Sequence, residues 1–75
     1  MITLEGTIQR SGLGMGTWAL VTRDGVTYEI LRGAPKDLLH PNQAVCVTGE
    51  IRTDIMTTAM IGPVLEVKSF ELVKP

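Results

Sequence analysis

Residues 17–31, TWALVTRDGVTYEIL, hold two of the three aromatic side chains and set an Asp24-Gly25 pair between two runs of β-branched, aliphatic and aromatic residues. That pattern predicts a β-hairpin, and its register decides which residues face inward. A two-residue turn at Asp24-Gly25 would pair Arg23 with Val26 and split the bulky apolar residues between the two faces. A three-residue loop, with Gly25 left-handed as a G1 bulge, pairs Thr22 with Val26, Leu20 with Tyr28 and Trp18 with Ile30. Trp18, Leu20, Val26, Tyr28 and Ile30 then share one face. A one-residue slip flips a whole strand, so the gathered register wins by several burials of about 1.5 to 3 kcal/mol each. This face is the expected core. Thr17, Ala19, Val21, Thr27, Glu29 and Leu31 form the expected outer face, which carries no aromatic residue.

Working outward, residues 2–10 alternate Ile2, Leu4, Gly6 and Ile8 with Thr3, Glu5, Thr7 and Gln9, the period of a strand buried on one side. Gly6 marks a bend or bulge. Ser11 to Gly16 has glycine at alternate positions, but no helix follows that could present its N-terminus to a phosphate, so it reads as a connection between strands. Its Leu13 and Met15 are apolar residues on an exposed loop. After the hairpin, Pro35 to Pro41 predicts a helix of one to two turns whose Leu38 and Leu39 plug an apolar opening. Residues 43–52 alternate again, with Val45, Val47, Gly49 and Ile51 inward, and Gly49 predicts a second bend. Arg52-Thr53-Asp54 turns the chain. Residues 56–61 could add a strand, or the start of the last one, before Gly62-Pro63 interrupts the ladder. From residue 64 on, Leu65 and Val67 share one parity and Phe70 and Leu72 the other. A bulge near Lys68-Ser69 would bring all four to one face.

Strand, strand, strand, short helix, strand, strand is the order of an all-β, five-stranded OB-fold Greek-key barrel with one short helix between strands 3 and 4. An SH3-like barrel fits the helix placement less well. The motifs Trp18-x-Leu20, Asp24-Gly25-x-x-Tyr28-x-Ile30, Pro35-x-Asp37-Leu38-Leu39, Val45-x-Val47-x-Gly49 and Met60 to Val67 together resemble small single-domain bacterial OB-fold proteins of uncharacterised function. The resemblance covers nearly the whole chain and implies a fold more than an activity. One departure is Pro41-Asn42-Gln43, where such proteins often have a glycine before the fourth strand. Asn42 tolerates the left-handed conformation, so the departure leaves the expected fold intact.

At 75 residues the chain forms one small domain, with about 60% of its unfolded surface buried. A hydrophobic fraction of 44% is rich for that size and leaves apolar surface for a partner or a second copy. Seven Lys and Arg against eight Asp and Glu, with no basic run, withhold the footprint of a dedicated nucleic-acid binder. No apolar run approaches the roughly 20 residues that span a membrane, and the first residues lack a signal-peptide pattern, so a soluble cytoplasmic protein is expected. Cys46 alone can form no internal disulfide and reads as a small buried hydrophobe. One His, one Cys and dispersed acids assemble neither a nucleophile-base pair nor a metal site, so no catalytic residue, metal or cofactor is expected. Asp24, Asp37 and Asp54 are explained by turns and Glu29 by a solvated strand face.

Single-stranded nucleic acid needs aromatic platforms and a cationic groove on the outer face of strands two and three. The chosen register turns Trp18 and Tyr28 inward, which disfavours oligonucleotide binding there. A barrel filled by Trp18, Tyr28 and Phe70 leaves little cavity for a small ligand. The expectation that remains is a non-catalytic binding or assembly module, acting through protein contacts or as a homo-oligomer. Its candidate contact residues are Leu13, Met15, Ala19 and Val21, with Arg52 at the end of the fourth strand and open strand edges beside them.

Overall fold

The computed structural model describes residues 1–10, 17–55 and 61–73. Five strands, β1 (Ile2–Arg10), β2 (Trp18–Thr22), β3 (Thr27–Ile30), β4 (Ala44–Arg52) and β5 (Val64–Leu72), close into a ring in the order β1-β2-β3-β5-β4. All neighbours are antiparallel except β3 and β5, which run parallel. The only helical element among the described residues is a 3-10 turn at Lys36–Leu38, between β3 and β4, so none is long and apolar enough to cross a membrane.

The hairpin adopts the three-residue loop. Leu20 faces Tyr28, and the Thr22 N–H donates to the Val26 carbonyl at 2.9 Å. Gly25 has φ +87°, the left-handed position of a G1 bulge, and its N–H donates to the Thr22 carbonyl at 3.0 Å. Thr22 completes the turn: its hydroxyl donates to the Asp24 carboxylate and accepts from the Val26 N–H at 3.2 Å.

Inside the ring lie Ile8, Leu20, Ile30, Leu38, Val45, Val47 and Leu65, all buried. The six strand residues come from the parities read as inward, and Leu38 comes from the turn read as a plug. Trp18 and Tyr28 pack against this cluster but stay half-buried, and Val26 is exposed. These three correct the expected core face. Trp18 opens β2 opposite Arg10, the last residue of β1, and Val26 precedes the first residue of β3, so both stand where the strands end.

The glycines at the two bends stand where main chains cross closely. A Cβ on Gly6 would sit 2.4 Å from the Val21 carbonyl oxygen, and one on Gly49 would sit 2.1 Å from that of Glu66. The bulge in β5 falls where parity required it. Thr48 faces Ser69 and Gly49 faces Val67, so Lys68 has no counterpart on β4. Val67 and Phe70 thereby join Leu65 against the core. Leu72 does not join the core and is 57% exposed; among the described strands β4 alone flanks that end of β5.

The expected one-to-two-turn helix is a single 3-10 turn, because Pro35 and Pro41 bracket too few residues and Leu39 already leaves helical geometry at ψ 67°. Its plugging role holds: Leu38 is fully buried and Leu39 packs on the core. Gln43 Nε2 ties the turn down by donating to the carbonyls of Asp37 (3.1 Å) and Leu38 (3.4 Å). Asn42 is left-handed, with φ 66°.

Candidate functional site

The sheet register aligns one row of residues across the outside of the ring. Gln9 faces Ala19, Ala19 faces Glu29, Glu29 faces Val64 and Val64 faces Arg52. Two expected contact residues, Ala19 and Arg52, thus share a row about 14 Å long, three strand spacings apart. The middle of that row is closed. Ala19 is 4% exposed, Glu29 5% and Val64 5%, which corrects the reading of Ala19 as an exposed contact and of Glu29 as a solvated carboxylate. Residues 61–63 explain part of this closure, because they run tight along β3. Gly62 is so close to the Thr27 carbonyl that a Cβ would sit 2.1 Å from its oxygen, and the Glu29 N–H donates to Pro63 at 2.8 Å. Among the described residues, no aromatic side chain stands in this row.

Arg52, at the open end of the row, is engaged inside the chain. Its guanidinium grips Asp54 with two hydrogen bonds, Nε to Oδ1 at 3.0 Å and Nη2 to Oδ2 at 2.9 Å, and reaches Glu66 Oε1 at 3.0 Å. Lys68 Nζ adds a contact to the same Glu66 oxygen at 3.3 Å. Hydrogen bonding from Arg52 holds the Asp54 carboxyl below its ordinary range. The same donor, helped by Lys68, lowers Glu66, and the two carboxylates make Arg52 release its proton still less readily.

Val21 is half-buried in a shallow groove of about 320 Å³ whose walls include Glu5, Thr7, Arg23, Ala44 and Val73. Arg23 spans it to Glu5 at 3.2 Å, so its cation is already answered. Leu13 and Met15 lie outside the described residues. Cys46 is half-buried on the outer face between Glu5 and Glu71, not in the core, because its parity opposes that of Val45 and Val47.

Two further features emerge from the assembled ring. One is a cleft of about 160 Å³ bordered by Trp18, Ile30, Leu31, Arg32, Ala34 and Leu39. Arg10 lies over the Trp18 ring, 5.8 Å from its centroid, and among the described residues neither Arg10 nor Arg32 has an ion-pair partner. The sequence signal for it was the pairing of Arg10 with Trp18, which becomes visible only once β1 is registered on β2.

The other is the edge of β5. β4 accompanies this strand from Val64 to Leu72, whereas β3 pairs only with Val64 and Leu65. From Glu66 onward, no described strand lies along the second edge. Val73 donates its N–H to the Ala44 carbonyl at 3.0 Å, and strand alternation then turns the N–H and C=O of Phe70 and Leu72 toward that open side. Compared with family models, curated proteins and solved structures, the chain finds no match.

Proposed function

We propose that the ring is an OB-fold Greek-key barrel serving as a non-catalytic binding or assembly module that acts through protein contacts along the open edge of β5. The fold reading is supported by the strand order, the parallel β3-β5 closure and the 3-10 turn between β3 and β4. The functional reading is carried by one observation. A strand of nine residues is paired by β4 along its length apart from the bulge at Lys68, and by β3 for two residues on the other edge, so among the described residues that edge offers main-chain donors and acceptors to an added strand. Exposed Leu72 beside half-buried Phe70 adds apolar surface to the hydrogen-bonding row.

The test is capture from native extract, with and without nuclease, by the wild-type chain and by Leu72→Pro. This change removes an N–H that faces away from β4 and so spares the existing ladder. A protein retained in both nuclease arms and lost with Leu72→Pro is the expected result. Retention indifferent to the substitution would sink the edge reading.

A second reading is single-stranded nucleic-acid binding, and it rests on the Trp18 cleft with Arg32 on its wall and Arg10 over the Trp18 ring, neither of which has an ion-pair partner among the described residues. It expects Trp18 fluorescence to change on titration with a short oligonucleotide, and the affinity to fall steeply with salt. An unchanged spectrum at low salt removes it.

A further inference from the structure

We propose that the occupant of the open β5 edge is a second copy of β5, added antiparallel about a two-fold axis at Phe70. The inference rests on the edge reading above and names its partner.

Symmetry and main-chain direction select the register. A two-fold axis that pairs identical antiparallel strands sets one residue opposite itself, and a hydrogen-bonded centre requires a residue whose N–H and C=O point outward. Phe70 and Leu72 meet that requirement. Centring on Leu72 sets the Glu71 carboxylate opposite the apolar Val73. Centring on Glu71 opposes two like charges. Centring on Phe70 lays the stretch from Lys68 to Leu72 along its copy: Phe70 meets Phe70, Leu72 meets Lys68, and Ser69 meets Glu71.

The side chains complement one another in this register. Lys68 and Ser69 both stand on the outer face, because the bulge leaves Lys68 without a counterpart on β4 and its ammonium contacts the outward Glu66. Glu71 is exposed on the same face, and among the described residues no cation pairs with it. Across the two-fold axis, Glu71 of each copy lies beside Ser69 and within diagonal reach of Lys68 of the other. The contact occurs twice. On the inner face, Phe70 meets Phe70 across the axis, and the exposed Leu72 of each copy lies diagonal to the other's Phe70, so this apolar surface leaves water together.

Sedimentation equilibrium across micromolar to millimolar chain concentrations tests the proposal on four proteins: wild type, Lys68→Glu, Glu71→Lys and the double swap. The wild type should show a monomer-dimer equilibrium. Each single swap should weaken it about tenfold, because two symmetric contacts become repulsive, and the double swap should restore it. Leu72→Pro should be monomeric while its thermal unfolding at low concentration stays close to wild type. A wild-type chain that remains monomeric at millimolar concentration overturns self-pairing, yet leaves the edge reading standing if extract capture is sensitive to Leu72→Pro. A dimer indifferent to both single swaps and to Leu72→Pro overturns the β5 interface itself.

Discussion

β2 and the second half of β5 are both strands of alternating apolar residues, yet they live in different surroundings. β2 is clasped by β1 along all five of its residues and by β3 from Ala19 to Val21, and Leu20 at its centre is fully buried. β5 beyond Leu65 has β4 on one side and no described strand on the other, and Leu72 near its end is 57% exposed. One ring therefore holds a rigid wall and an open edge. Closure depends on how far each pair of strands runs together, and the short β3 ends the pairing with β5 after two residues.

A pair of identical substitutions breaks this comparison most sharply. Leu20→Ala should cost about 4 kcal/mol, which leaves so small a domain near the limit of folding, whereas Leu72→Ala should cost under about 0.5 kcal/mol. Urea unfolding midpoints measure both, and similar losses at the two leucines would refute the contrast. Gly49→Ala comes next. Its new methyl group would meet the Glu66 carbonyl, a main-chain atom that cannot swing aside, at 2.1 Å. About 2 to 3 kcal/mol should be lost, with a fall in melting temperature of roughly 15 °C. A variant as stable as wild type would mean that β4 and β5 are not pressed together at the bulge. Gly25→Ala, at φ +87° with open space around it, should cost about 1 kcal/mol through backbone strain alone. Calorimetry showing no change there would contradict the G1-bulge turn.

The hairpin register was legible because two local signals agreed: Asp24-Gly25 admits few turns, and only one of them gathers Leu20, Tyr28 and Ile30. The β5 bulge was legible from the parity break between Val67 and Phe70. What parity could not carry was depth. It assigned Trp18 to the inner side correctly, but strand ends decide burial, and Trp18 and the exposed Val26 both lie where the strands run out. It assigned Ala19 and Glu29 to the outer side correctly too, yet these are buried at the centre of a cross-strand row that residues 61–63 run beside. The candidate contact set drawn from exposed small and apolar residues missed the β5 edge for the same reason, since which strand keeps a free edge depends on the lengths of β3 and β5 together.

The smallest expected effect belongs to the Arg52 cluster, which braces the closed start of β5 through Glu66. The folded chain holds the Asp54 and Glu66 carboxyls below their ordinary range, with Arg52 the leading cause for both. A lowered folded pKa means that the unfolded chain takes up these protons first as pH falls. The contribution is therefore complete above the ordinary carboxylate range of about 4, declines as pH drops through it, and is gone below the depressed folded values. The groups are partly solvated, so salt should mute the effect. Arg52→Gln should flatten the fall in urea midpoint between pH 7 and pH 3 at low salt and change little at high salt. Curves for wild type and variant that stay parallel at low salt would mean that the cluster is not a brace. Hydrogen exchange at the Leu31 N–H, which closes β3 on β5 through the Leu65 carbonyl at 2.9 Å, should quicken in the variant at pH 7, while Leu72, already on the open side, stays as it was.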